Sequence, residues 1–277
     1  MNTLCWSLTK SKNDPIKFHQ SVYDMYYLSI SMAKQLGYTT VLYGNSDAIE
    51  NLKDIVDSVI NIDFLDYQLY DDPKVYIWYS RKGEYATIDG DVFLYNRLKF
   101  RSDSDSRYKL SVENNQKMLD GTTKTTYNIF CNQGSNKIIP FWDTYRTDSF
   151  NTGIIKWNDE SLRKVYISYY HLFRKWYMDN KHIMNLPSDI SISSHIVCEQ
   201  LLYKLMINNG YNVDVLKTND ENSYSHFVGS QKFTDPEKFI PIKLLVDEIK
   251  NLKNMGLTNR MDIKRIYFKL AEFYGAI

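Results

Sequence analysis

The sequence predicts an α/β fold with a mixed, mostly parallel central sheet, flanked by helices and followed by C-terminal helices. Three observations indicate this class: a strand–helix–strand unit near the start of the chain, a strand that follows a later helix, and long amphipathic helices in the second half. With 277 residues, of which 43% are hydrophobic, the chain is long enough to bury a large core. The net charge of +1 gives no general electrostatic attraction for nucleic acid.

The first strand–helix–strand unit begins with "TLCWSL", a short apolar run. Residues 21–36 then carry apolar side chains at helical spacing before Gly37 ends the helix, and "TTVLYGN" is a second strand of the buried type. Ser7 and Tyr43 end these two strands. We expect both at the carboxyl edge of the sheet, where open α/β sheets bind ligands, although both also fit a purely structural role.

A helix is predicted next, over residues 73–82, because acidic residues precede a proline at its first position. The strand "YATI" follows it and leads directly into Asp89, Gly90 and Asp91. The carboxyl end of this strand is therefore a third place where polar side chains are expected at the ligand-binding edge.

In the rest of the chain, predicted strands and helices alternate less regularly. Residues 97–126 are polar, and we expect a mobile excursion there. Further strands are predicted at "YNIFCN", "KIIPFWD", "FNTGIIKW" and "NVDVLK". Amphipathic helices are predicted over residues 160–179, 190–209, 238–254 and 259–273. We divide the chain into one domain over residues 1–233 and a helical extension over residues 234–277 that packs on it.

Cysteine usage and hydropathy bear on the cellular compartment. Three cysteines, far apart and without CxxC spacing, argue against a disulfide framework and a structural zinc site. The first residues show no signal-peptide pattern, and no window reaches the roughly 18 apolar residues that would span a bilayer. We expect a cytoplasmic protein without a membrane span.

Two carboxylates separated by a single glycine, Asp89 and Asp91, end the strand "YATI". Aspartate is disfavoured in strands, and like charges this close repel unless a cation lies between them. Gly90 allows the backbone to turn so that both carboxylates reach one point. Mg²⁺ and Mn²⁺ take carboxylate ligands together with the phosphate oxygens of a substrate. The pair therefore predicts a divalent metal site.

The alternative is a solvated acidic pair, which arises by chance in a chain with 33 acidic residues. Asp103 and Asp105 in "RSDSDSR" have the same spacing but follow no apolar strand, and we interpret them as part of a surface loop. The strand that precedes Asp89 and Asp91 favours a metal-binding or catalytic role for that pair.

Four segments, in order, resemble the motifs of one enzyme family. "TIDGDVFLYN" is similar to the D-x-D motif of nucleotide-sugar-dependent glycosyltransferases with the GT-A, Rossmann-like fold. "FNTGI", the pair Glu199-Gln200 and "HFVGSQK" resemble the F-N-x-G, D-Q and H-F-x-G-x-x-K segments of retaining glycosyltransferase family 8, the glycogenin and galactosyltransferase relatives. The chain resembles a divergent member of that family, since glutamate replaces the aspartate of D-Q, and Phe233 and Thr234 replace the family's proline and tryptophan.

The resemblance implies that Asp89, Asp91 and His226 bind a Mn²⁺ or Mg²⁺ ion that bridges the donor's diphosphate. A histidine before a phenylalanine is otherwise a packed or surface residue, so the role of His226 depends on its partners. Gly229 would let the backbone approach the diphosphate, and Lys232 would meet it as a point charge.

The resemblance also places residues near the transferred sugar. Asn151 and Gly153 of "FNTGI" would lie near the donor sugar and the acceptor, although a tight turn explains them equally well. Glu199 and Gln200 would lie beside the anomeric carbon, whereas the helical pattern alone predicts a solvent-facing Gln200. An amide is a poor nucleophile, so attack by Gln200 and front-face attack by the acceptor within an ion pair both stay open.

Five residues complete the expected donor site. Ser7 and Tyr43 end strands where the nucleotide base would bind. Lys74 and Trp78 lie one turn apart on the helix before Asp89, where they could face the donor's phosphate or sugar. Gly90 belongs to the D-x-D segment itself.

We therefore expect a metal-dependent hexosyl- or pentosyltransferase whose residues 1–233 form the nucleotide-sugar-binding and catalytic domain. The expected donor is a nucleoside diphosphate sugar, first of all a UDP-sugar; the acceptor, whether glycan, protein, lipid or modified nucleobase, and the oligomeric state are left open. Two alternatives are a nucleotide-sugar-binding module without turnover and a Mg²⁺-dependent phosphohydrolase. The phosphohydrolases normally carry their D-x-D motif near the chain start, whereas 88 residues precede it here.

Overall fold

The structure is a computed structural model that describes residues 1–9, 20–65, 69, 71–117, 121–139, 141–142, 146, 148–184, 190–216, 224–226, 240–257, 262, 265–266 and 269. Its strands are β1 (Thr3–Leu8), β2 (Thr39–Gly44), β3 (Ser58–Asn61), β4 (Ala86–Ile88), β5 (Val92–Leu94), β6 (Tyr108–Lys117), β7 (Asp148–Trp157), β8 (Asn212–Val215) and β9 (Tyr224–His226). Its α-helices are α1 (Gln20–Gln35), α2 (Ser46–Leu52), α3 (Asp72–Ser80), α4 (Gly121–Asn132), α5 (Glu160–Asn180), α6 (Ile190–Asn208) and α7 (Ile240–Asn254).

Seven of the described strands form a mixed, mostly parallel sheet flanked by helices, which confirms the predicted fold class. The chain divides into two compact units. Unit 1 comprises Met1–Leu65, Glu84–Lys99 and Lys217–Ile277, and unit 2 comprises Asp66–Gly83 and Phe100–Leu216. In unit 1 the strand order is β3-β2-β1-β4, all parallel, and β5 pairs separately with β9. In unit 2 the order is β7-β6-β8, with β7 antiparallel and β8 parallel to β6.

Unit 1 is built around β1 and α1. Successive β1 residues, such as Cys5 and Trp6, are fully buried, which is typical of a parallel strand covered on both faces. Helix α1 ends before Gly37, as predicted, and the φ angle of 77° at Gly37 lies in the left-handed region that glycine favours. Helix α7 packs against α1. The assignment of residues 234–277 to a separate extension stays a prediction.

Unit 2 has an aromatic core. The buried face of α5 carries Tyr166, Tyr170 and Phe173. Trp78 of α3 packs edge-on against Trp157 and Tyr166, with ring-centroid distances of 5.7 and 5.6 Å. Such aromatic pairs each contribute about 0.5–1.5 kcal/mol beyond the burial of their apolar area. This core fixes α3 and α5 within unit 2.

Asp159 caps the N-terminus of α5. Its carboxylate accepts the backbone N–H of Leu162 at 3.0 Å and lies 3.2 Å from Lys109 Nζ. The hydrogen bond from Leu162, and then the Lys109 side chain, hold the pKa of Asp159 below its ordinary value of 3.8. A depressed carboxyl pKa stabilises the fold above the pKa of the unfolded chain, and this contribution is lost as the pH falls through the lowered pKa.

We expect Asp159→Ala to lower the free energy of unfolding by about 1 kcal/mol at neutral pH. Asp159→Asn should cost much less, because asparagine caps helices nearly as well as aspartate. Urea unfolding measures both variants, and the gap between wild type and Asp159→Ala should shrink in acid. The control is Asp179→Ala in the last turn of α5, where the side chain is 65% exposed. An equal loss in the control would contradict the capping role.

The expectation of a mobile, irregular excursion over residues 97–126 is wrong. The segment contains β6, which pairs with both β7 and β8. Ser111 of β6 is fully buried and donates to Asp214 Oδ2 at 3.2 Å, and the same carboxylate accepts the Arg101 backbone N–H at 2.8 Å. Hydrogen-bonded polar residues inside the sheet hide the apolar alternation from which a strand is predicted.

The strand predictions for "YNIFCN" and "KIIPFWD" are also wrong. Residues 127–132 are the second half of α4, and Tyr127 and Phe130, three positions apart, are both fully buried. The second segment begins in a 3₁₀ turn, Ser135–Lys137, and its other described residues form no strand. Apolar runs this short fit a helix as well as a strand, so the pattern alone could not distinguish them.

The other predicted elements are confirmed where the structure describes them. The early strand–helix–strand unit corresponds to β1, α1 and β2, and the helix and strand before Asp89 correspond to α3 and β4. "FNTGIIKW" and "NVDVLK" coincide with β7 and β8, and three of the predicted late helices coincide with α5, α6 and α7. The helix predicted over residues 259–273 lies mostly outside the described residues. Among the residues described, none of the helices combines the length and apolarity needed to span a bilayer.

Candidate functional site

The two carboxylates of the D-x-D segment lie in a tight turn at the end of β4. Asp89, Gly90 and Asp91 separate β4 from β5, and the Val92 N–H donates to the Asp89 carbonyl oxygen at 3.2 Å, which closes the turn. Asp91 is only 7% exposed. The reversal brings the two carboxylates together, as the sequence predicted.

His226 reaches these carboxylates through the pairing of β5 with β9. The two strands are antiparallel, and Val92 lies opposite His226. His226 Nε2 is 3.4 Å from Asp91 Oδ1. One ligand atom from each of Asp89, Asp91 and His226 lies within 4.8 Å of the other two. All three residues belong to unit 1, so this unit assembles the predicted ligand set from distant parts of the chain.

The geometry of this cluster fits one divalent ion. Carboxylate oxygens are the preferred ligands of Mg²⁺ and Mn²⁺, and an imidazole nitrogen is a further neutral ligand. Ligands on opposite sides of a Mg²⁺ ion are about 4.2 Å apart. Because the ligand atoms already lie within 4.8 Å of one another, small side-chain rotations would let all three bind one ion.

Asp103 and Asp105 form the surface loop that the sequence predicted. Asp103 lies in a 3₁₀ turn and hydrogen-bonds to Lys156. Hydrogen bonds from Arg107 lower the pKa of Asp105 to about 2. Each carboxylate of this pair is therefore bound to its own cationic side chain, Lys156 or Arg107. The same spacing in the sequence thus leads to an environment different from that of Asp89 and Asp91.

Gly90 is required by close packing and not by a left-handed backbone conformation. A Cβ atom at position 90 would lie 2.0–2.3 Å from three atoms of the Tyr26 ring. Tyr26 belongs to α1, and its hydroxyl donates to the Ser7 carbonyl oxygen at 2.7 Å. Sequence reasoning missed Tyr26, because a tyrosine on an amphipathic helix gives no local signal of a contact so far along the chain.

Ser7 and Tyr43 lie side by side at the ends of β1 and β2. They are paired in the parallel register of these strands. Strand β1 also pairs with β4, with Cys5 opposite Thr87, and the same register continued puts Ser7 level with Asp89. The predicted strand-end residues and the acidic turn therefore share one edge of the sheet. Tyr43 is buried, so little of its ring is accessible to a ligand.

Three of the predicted residues are buried in unit 2, namely Lys74, Asn151 and Glu199. Each of them hydrogen-bonds to Thr152 or Gly153 of β7. Lys74 Nζ donates to the Thr152 carbonyl oxygen at 3.1 Å. Glu199 Oε1 accepts from the backbone N–H and the hydroxyl of Thr152, both at 3.4 Å. Asn151 Oδ1 accepts the Gly153 N–H at 2.9 Å. The structure thus brings these predicted residues together around the "FNTGI" segment.

Gln200 and Trp78 are also internal residues of unit 2. Gln200 is 0% exposed, so the interpretation of a solvent-facing helix residue is wrong. Its side-chain amide donates to the carbonyl oxygens of Arg146 and Asp148 at 2.8 and 3.3 Å. Trp78 is 1% exposed and belongs to the aromatic core. The roles of both residues toward a donor sugar stay predictions.

The segment after His226 carries the predicted diphosphate-binding residues. Gly229 and Lys232 lie outside the described residues. Their roles, like those of the other predicted site residues, stay predictions.

No protein-family model matches the chain, and no curated protein sequence matches it. Among solved structures, it is similar to mouse xyloside xylosyltransferase 1, with 12% identity, a TM-score of 0.42, and coverage of 78% of this chain and 85% of that one. It is similar to the glycosyltransferase GlyE of Streptococcus pneumoniae TIGR4, with 10% identity and a TM-score of 0.44, covering 99% of this chain and 63% of that one. It is also similar to the inositol-1-phosphate CTP transferase of T. maritima, with 11% identity and a TM-score of 0.40, covering 88% of this chain and 95% of that one. These identities and TM-scores are too low to support an argument about the chain. The fold class is therefore assigned from the strand order and strand directions of the chain itself.

Proposed function

We propose that this protein is a metal-dependent glycosyltransferase that moves a sugar from a nucleoside diphosphate sugar to an acceptor with retention of configuration. The observation that carries the proposal is the cluster of Asp89, Asp91 and His226 at the carboxyl end of a parallel strand. The ordered motifs that resemble glycosyltransferase family 8 support it, and they make a UDP-sugar the first donor to test.

Asp91 and His226 would hold a Mn²⁺ or Mg²⁺ ion, with Asp89 as a further ligand or as a contact to the donor's hydroxyl groups. When bound, such an ion supplies positive charge that stabilises the leaving diphosphate. The low exposure of Asp91 favours this role, because a partly desolvated carboxylate interacts more strongly with a cation than one in water. Ser7 and Tyr43, at the same sheet edge, would bind the nucleotide base.

By the family resemblance, the residues in and around the "FNTGI" segment would act on the sugar. In this proposal Asn151 and Gly153 contact sugar hydroxyls, and Lys74 contributes positive charge near the phosphates. Glu199 and Gln200 would lie beside the anomeric carbon, as the resemblance implies. The hydrogen bonds of Gln200 to the carbonyl oxygens of Arg146 and Asp148 would hold its side chain in one orientation for that role.

A panel of isotope-labelled UDP-sugars with Mn²⁺ tests the proposal, with EDTA-treated protein as the control. Metal-dependent UDP release, through transfer to an added acceptor or slow donor hydrolysis, is the expected result. Donor binding without turnover would indicate a nucleotide-sugar-binding module instead. Phosphate release from monoesters would indicate a phosphohydrolase, and pyrophosphate release from a nucleoside triphosphate would indicate nucleotidyl transfer. The anomeric configuration of the product, read by NMR, tests retention.

A further inference from the structure

Two side chains of α1 bind the turn that carries Asp89 and Asp91. The ring of Tyr26 fills the space that a side chain at position 90 would need, with three ring atoms 2.0–2.3 Å from a Cβ built there. The Tyr26 hydroxyl donates to the Ser7 carbonyl oxygen at 2.7 Å. Tyr26 therefore packs against the middle of the turn and is anchored at the end of β1.

Ser29, three positions further along α1, makes a second connection of the same kind. Its hydroxyl donates to the Val92 carbonyl oxygen at 2.6 Å and accepts a hydrogen bond from Trp6 Nε1 at 3.1 Å. Ser29 is fully buried. Residues 26 and 29 lie on the same face of an α-helix, so one face of α1 links β1 both to the turn and to the strand that follows it.

These contacts oppose the deformation that the turn would otherwise undergo. Two carboxylates close to each other repel, and opening of the turn would relieve this repulsion by moving them apart. Tyr26 blocks the movement of Gly90 toward α1, and Ser29 holds the carbonyl oxygen of Val92 in place. The backbone of the turn that carries the ligands is thereby held before a cation binds, and a preorganised site binds its ion more tightly than one that must first assemble.

We infer that Tyr26 is a positioning residue of the metal site, assisted by Ser29. The inference rests on the proposed metal-binding role of the cluster, and it adds that the affinity for the ion depends on a helix that contributes no ligand. Residues that orient metal ligands without touching the ion typically change metal affinity by about 10- to 100-fold when they are replaced.

Mn²⁺ binding tests this inference without requiring any catalytic activity. The EPR signal of free Mn²⁺ is recorded during titration of the full-length wild type, Tyr26→Ala and Tyr27→Ala, each checked for folding by circular dichroism. Tyr27 is the matched control, since it is the next residue of α1, is buried, and lies near Lys250 of α7, with Nζ 5.1 Å from its ring centroid. We expect Tyr26→Ala to bind Mn²⁺ about tenfold more weakly than wild type and Tyr27→Ala to bind it equally well.

Wild-type affinity in folded Tyr26→Ala would overturn the inference and leave the proposed metal site intact. An equal loss in Tyr27→Ala would also overturn it, because the effect would then reflect general destabilisation of α1. Absence of Mn²⁺ binding by the wild type, with and without UDP, would overturn the proposed function and the inference together. Should Tyr26→Ala not fold, Ser29→Ala decides: weakened Mn²⁺ binding supports the inference, and unchanged binding refutes it.

Discussion

Asp91→Asn is expected to lower metal-dependent turnover by about a thousandfold. Asparagine keeps the shape of the side chain but removes the negative charge that would bind the ion beside His226, 3.4 Å away. Stabilisation of a leaving group by a metal ion contributes several kcal/mol, and a loss of about 4 kcal/mol corresponds to about a thousandfold in rate. Steady-state kinetics across a Mn²⁺ titration, with the donor found in the UDP-sugar panel, measures the change.

Asp105→Asn is the matched control for this variant. It removes a carboxylate from the same D-x-D spacing, but in an exposed loop where the partner is Arg107, 2.7 Å away. We expect its turnover and its Mn²⁺ dependence to equal those of the wild type. Full metal-dependent activity in Asp91→Asn, or an equal loss in Asp105→Asn, would rule out the proposed site.

Trp78→Ala is expected to lower the free energy of unfolding by about 3–5 kcal/mol. Trp78 is almost completely buried, and its ring packs against Trp157 and Tyr166, so the alanine variant loses these contacts and leaves a cavity in the core of unit 2. A loss of stability of this size is expected for a core residue, whereas a residue that only contacts the donor, as the sequence predicted for Trp78, would change the free energy of unfolding little. Urea unfolding followed by circular dichroism measures the change.

The adjacent residue supplies the control. Tyr79 of α3 is 68% exposed, and Tyr79→Ala should change the free energy of unfolding by less than about 0.5 kcal/mol. If Trp78→Ala were as stable as the wild type but bound UDP-sugar more weakly, Trp78 would be a donor contact and not a core residue.

The sequence predicted the fold class from features that act over short distances. The strand–helix–strand unit was predictable because its signals all lie between neighbouring residues. These signals are the apolar runs of β1 and β2, the helical spacing of apolar residues in α1, and the glycine after that helix. Where short-range patterns were ambiguous, the prediction was wrong. The short apolar run in α4 fits either a helix or a strand. Strand β6 carries Ser111, a buried polar residue whose hydrogen-bond partner Asp214 lies on another strand.

By itself, the sequence indicated a metal site through two carboxylates that follow an apolar strand, and the resemblance to glycosyltransferase family 8 added His226 as an expected third ligand. Only the tertiary structure decided that these residues meet, through the pairing of β5 with β9. It also decided why the middle residue is glycine, since Tyr26 occupies the space that a side chain would need. Contacts between segments far apart in the chain depend on how the strands and helices pack, and no local pattern of residues encodes them.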